Sequence, residues 1–163
     1  MEVYLIKDSF KKLKPTIHDV MEQFYNNLWE LSPDTQKLFE HTDMKIQKKA
    51  LANSITFIVD NLSNTDQLDK FLINMGKRHA NYGTMAEHYP LAEKTLVKTL
   101  AEALKNEWNQ ELEDNWIAVF RLTTATMAKG AAREIEARSA QNNNKEQVEQ
   151  VEQVEQVEQV EQV

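Results

Sequence analysis

The chain contains no cysteine among its 163 residues. That excludes a disulfide framework, a thiolate zinc site, a cysteine nucleophile and a thioether-linked c-type haem. Glycine and proline number three each, too little punctuation for a sheet, and no alternating strand pattern lasts. The longest apolar runs fall far short of the ~20 residues a membrane span needs. The opening residues MEVYLIKDSF lack a secretory pattern, so no membrane association and a cytoplasmic location are expected. An excess of basic residues is missing too: the formal charge is −7. Most of it sits at one end, where Lys145 and six glutamates give residues 145–163 a net −5 and leave the rest at −2. A nearly neutral body offers no electrostatic footprint for nucleic acid.

What is present divides into a body and a tail. Six copies of Glu-Gln-Val run from Glu146 to Val163, after the polar stretch Ser139-Ala-Gln-Asn-Asn-Asn144. A three-residue period drifts around a helix axis, so the valines form no stripe and no coiled-coil seam. The expectation is one domain over residues 1–138 and a polar, low-complexity extension over 139–163, disordered or loosely helical. Apolar residues make up 41% of the chain, enough for a packed core in the body.

The body reads as helical throughout, with about seven helices. The first covers about residues 2–13, and Pro15 opens the second. There Ile17, Val20, Met21, Phe24, Leu28 and Leu31 recur at three- and four-residue steps. Ser32-Pro33 opens a short third helix ending near Phe39, and a fourth runs from about Met44 to Leu62. Thr65 or Asp66 caps the fifth, Pro90 opens the sixth, and the last starts near Asn109. Leu112, Trp116, Val119, Phe120, Thr123 and Met127 form the buried face of that last helix.

His79 stands out. On the fifth helix the apolar stripe steps Leu68, Leu72, Met75, His79, with Gly83 just beyond. A histidine continuing an apolar face needs something to satisfy its ring. Two readings are open: a core histidine bonded to a carbonyl, or a ligand to a metal presented from one wall of an apolar pocket. Phe24-Tyr25 and Gln47 place aromatic and polar groups at the inward edges of the second and fourth helices. Gln47 and Leu51, four apart, share a face.

Ordered motifs then carry a resemblance. Phe24-Tyr25-Asn26-Asn27-Leu28-Trp29, Pro33 and Leu38-Phe39 resemble the opening of the globin domain of bacterial flavohaemoglobins. Gln47-Lys48-Lys49-Ala50-Leu51 resembles that family's distal-helix segment. Gly76-Lys77-Arg78-His79-Ala80-Asn81-Tyr82-Gly83, with His88-Tyr89-Pro90, is similar to its proximal motif, and Trp116 also matches. The likeness spans roughly residues 3–135.

The resemblance implies an all-α globin fold around a non-covalent haem b, with His79 as the iron ligand. It implies that Phe39 packs on the porphyrin and that Leu51 forms the apolar distal wall. Tyr25 and Gln47 would donate hydrogen bonds to a bound ligand. Tyr89 would stand near the proximal side, and Arg78 would pair with a haem propionate. His41 and His88 receive no role at the iron, and His88 reads as a helix cap or solvated loop residue. Two departures matter. The family's glutamate that bonds the proximal histidine would fall near Ala131, with Glu134 about a turn beyond. No flavin- or nicotinamide-binding segment follows the globin-like part. The function implied is reversible binding of O2, CO or NO for storage or sensing. The alternative is a nitric oxide dioxygenase served by a separate reductase, and a haem-free helical adaptor is the third class.

Overall fold

The computed structural model describes the backbone of residues 1–161 and the side chains of residues 1–150. Six α-helices form it: α1 (Val3–Leu13), α2 (Ile17–Leu31), α3 (Met44–Asp60), α4 (Thr65–Asn81), α5 (His88–Leu104) and α6 (Gln110–Glu161). Three 3₁₀ helices, Lys14–Thr16, Pro33–Phe39 and Lys105–Glu107, join them, and no strand occurs among the described residues. The all-α globin expectation therefore holds, with one helix of the expected seven different in kind. The segment 33–39 winds as a 3₁₀ helix, started by Pro33 and held by the Thr35 hydroxyl donating to the Ser32 carbonyl at 2.7 Å.

Local chemistry sets the boundaries. Asp43 caps α3 by accepting from the amides of Lys45 and Ile46, at 2.9 and 3.2 Å. Asn64, rather than Thr65 or Asp66, caps α4 through the Gln67 amide. α5 begins at His88, two residues before Pro90, because the His88 ring accepts the Met85 amide and orders that turn. α6 does not stop at the polar stretch after residue 138. Gly130 is its last glycine and no proline follows, so nothing in the backbone chemistry breaks it. Residues 139–150 are exposed throughout, and the side chains of the repeats from residue 151 onward lie outside the described residues.

The core gathers Ile6 and Phe10 from α1, Met21 from α2, Val59 from α3, Leu72 from α4, Leu100 from α5 and Trp116 from α6. Two buried polar ties hold it in register. The Trp116 indole donates to the Ser9 hydroxyl at 3.1 Å, and that hydroxyl donates to the Ile6 carbonyl at 3.0 Å, joining α6 to α1. Asn27, 1% exposed, donates to Thr99 and Glu102 and accepts from Gln23 and Lys98, joining α2 to α5. Such a satisfied network fixes one packing register where a half-satisfied one would be costly. Leu51, Ile55 and Phe120 continue apolar stripes yet are only half-buried, because all three face a cavity.

Candidate functional site

A cavity of about 220 Å³ opens between α2, the 33–39 segment and α3 on one side and α4, the start of α5 and α6 on the other. Its walls are almost wholly apolar: Phe24, Leu28, Phe39, Leu51, Ile55 and Ile58 face Met75, Leu96, Val119, Phe120 and Met127. Into this apolar room α4 carries one strong ligand atom.

His79 lines the cavity, and its Nδ1 lies 2.9 Å from the Met75 carbonyl oxygen. A carbonyl only accepts, so Nδ1 holds the ring proton and Nε2 keeps a lone pair with no hydrogen-bond partner among the described residues. Burial pushes the imidazole below its usual pKa, against the bond to Met75, and the Arg78 charge lowers it further. The ring is therefore neutral near pH 7, the form in which histidine binds metal. Both sequence readings meet here: the ring is bonded to a carbonyl and also faces the cavity. Among the described residues no group of three or more His, Asp or Glu side chains is placed to hold a bare metal ion. A metal bound at His79 would need its remaining ligands from elsewhere, and the apolar walls suit a planar, apolar prosthetic group. The donor chemistry fits haem.

Of the other residues singled out by sequence, Phe39, Leu51 and Tyr89 line the same cavity. Burial raises the Tyr89 phenol, which keeps its proton. Tyr25 and Gln47 are brought together but stand outside the walls. The Gln47 amide donates to the Tyr25 hydroxyl at 3.0 Å, leaving the phenol's own proton free to donate. Tyr25 is 2% exposed and packs edge-on against Phe24 and Phe39 at 5.3 and 5.5 Å, so those two rings separate it from the cavity. Burial raises its pKa, partly offset by Gln47. Arg78 is exposed and takes no part in the wall.

Two features of the wall escaped the sequence. His88 lines the cavity as well as ordering the turn before α5. Thr123 and Thr124 line it from α6. Neither Ala131 nor Glu134 does, and Glu134 instead pairs with Arg138 at 3.4 Å. The His79 proton is thus held by a backbone carbonyl and not by a carboxylate.

Comparison with known proteins agrees with this fold. The family model described as Globin matches residues 22–127. The flavohemoprotein of Rhizobium meliloti is 23% identical over 141 residues, covering 83% of this chain and 35% of its own length. That of Bordetella pertussis is 25% identical, covering 85% and 35%. The chain thus spans about a third of the length of these curated relatives. Among solved structures, a bacterial globin from Campylobacter jejuni superposes with a TM-score of 0.69 at 21% identity, covering 84% of this chain and 96% of that one. A hexacoordinated heme protein from an anhydrobiotic tardigrade gives 0.72 at 18%, covering 80% and 92%. This chain belongs to the globin family.

Proposed function

We propose that the chain binds haem b non-covalently through His79 Nε2 and takes up O2, CO or NO reversibly. The observation that carries this is the Nε2 of a neutral imidazole, without a hydrogen-bond partner among the described residues, in a largely apolar cavity. Bound haem supplies a redox-active iron with one position for a diatomic gas. The chain's residues do the rest. His79 holds the iron, its ring orientation set by Met75. Phe39 and Leu51 pack against the macrocycle and exclude water. Tyr25, its oxygen fixed by Gln47, has a proton to donate from behind Phe24 and Phe39, and it reaches the gas side only when those rings shift.

The second reading is a nitric oxide dioxygenase fed by a separate reductase, and the kinship to flavohemoproteins supports it. The carbonyl bond at His79 Nδ1 favours binding over turnover, because a carboxylate there would give the imidazole anionic character and a stronger electron push. Optical spectra of the reconstituted protein test the proposal. A Soret band that shifts under carbon monoxide and returns when the gas is removed is expected, and its absence overturns the reading. Rapid nitrate formation from nitric oxide with a reductase from the same cell would move the assignment to the second reading.

A further inference from the structure

Where α4 crosses α6, neither helix leaves room for a side chain. A Cβ on Gly76 would lie 1.9 Å from the Met127 carbonyl oxygen and 2.6 Å from its carbonyl carbon. A Cβ on Gly130 would lie 2.0 Å from the Ile73 carbonyl oxygen. Both obstacles are helix backbone, which cannot swing aside as the end of a flexible side chain can. The contact is reciprocal: each helix brings its glycine against the other's carbonyl, the close approach that permits Cα–H···O contacts. Two of the chain's three glycines stand at this crossing, inside helices where alanine would favour the helix itself.

The crossing lies beside the cavity. Three residues forward along α4, from Ile73 to Gly76, correspond to three back along α6, from Gly130 to Met127. One more such step reaches His79 on α4 and Thr124 on α6, and both line the cavity. Met75, the neighbour of Gly76, provides the carbonyl that orients the His79 ring. The seat of α4 on α6 is therefore within one helical turn of the ligand atom.

We propose that Gly76 and Gly130 are positioning residues for His79, their side-chain-free crossing setting how far Nε2 reaches into the cavity. This rests on the reading of His79 as the haem-iron ligand. A methyl group at either glycine would sit 1.9 or 2.0 Å from a carbonyl oxygen where ordinary contact begins at 3.4 Å, so the helices must part by about 1.5 Å. Metal–ligand distances hold within about 0.2 Å, so a displacement of that size pulls His79 back from the iron.

The test uses the full chain reconstituted with haem, as wild type, Gly76→Ala, Gly130→Ala and Leu100→Ala. Leu100 is a core residue outside the cavity wall, so its variant controls for lost stability. The readouts are the iron–histidine stretching band of the ferrous protein and the rate of haem loss to an acceptor apoprotein. The expected result is a shifted or weakened band and at least tenfold faster haem loss in both glycine variants. Leu100→Ala should unfold earlier with its band in place. Glycine variants that keep their helicity but take up no haem support the proposal. An unmoved band with haem loss within twofold of wild type overturns it. Should both glycine variants lose their helicity, hydrogen exchange on wild-type apoprotein decides: protected amides over residues 73–79 support a seat formed in advance, and freely exchanging ones overturn it. A wild-type protein without a Soret band overturns the haem reading and this proposal with it, whereas a normal Soret band with unmoved glycine variants overturns this proposal alone.

Discussion

The two sides of the cavity are built on different terms. On the α4 side a polar atom is committed to the cavity, its ring fixed by the Met75 carbonyl and its helix seated on the α6 backbone. On the α2–α3 side the polar pair Tyr25–Gln47 is fully formed but held behind Phe24 and Phe39. Leu72 on α4 packs away from the cavity and is fully buried, whereas Leu51 on α3 faces it and is only half-buried. One side fixes the orientation of an imidazole that faces the cavity. The other keeps an apolar surface toward the cavity with hydrogen-bonding capacity one layer back.

That contrast can be broken by paired truncations. Leu72 is 0% exposed, so Leu72→Ala is expected to cost about 2–5 kcal/mol, read from the denaturant midpoint of the apoprotein. Leu51→Ala, at the half-buried wall, should cost less than about 2 kcal/mol. Equal losses would mean that the two sides are packed alike. A smaller effect follows at Tyr25. Hydrogen bonds to charged groups contribute about 1.5–3 kcal/mol and each 1.4 kcal/mol is tenfold, so Tyr25→Phe should raise the oxygen off-rate roughly tenfold by stopped flow. An unchanged off-rate would keep the phenol permanently behind the Phe39 ring and remove it from the gas side.

The smallest expected effect is a pH dependence. Burial raises the Tyr25 pKa above its ordinary value of 10.0. In the unfolded chain the phenol ionises first, so its contribution to stability is complete below pH 10 and is lost as pH climbs through the raised folded value. Tyr25→Phe should therefore soften the loss of stability between neutral pH and pH values above 10, measured by denaturant titration at both. An identical alkaline decline in the variant would rule out this origin.

The sequence carried the α4 side well, because a stripe of Leu68, Leu72, Met75 and His79 at helical spacing needs only local periodicity to be read. It also placed Tyr25 and Gln47 together, since their helices and faces were legible. It could not say that Phe24 and Phe39 would stand between that pair and the cavity, because the depth of a side chain depends on how helices cross. The same cause hid the Gly76–Gly130 crossing, where the signal was only two glycines in otherwise good helices. His88 was legible as an end-of-turn residue, but its place in the wall depends on where the start of α5 docks. α6 runs on past residue 138 because glutamate, glutamine and asparagine without glycine or proline leave a helix free to continue, which is the loosely helical form of the extension read from composition.

The most direct measurement of the central claim is a haem titration of His79→Ala beside the wild type, with and without free imidazole. Weak binding with an altered spectrum, restored toward the wild-type spectrum when imidazole fills the space left by the side chain, is the result expected of an axial ligand. A variant that binds haem as tightly as the wild type, with the same ferrous and carbon monoxide spectra and no response to imidazole, would contradict it.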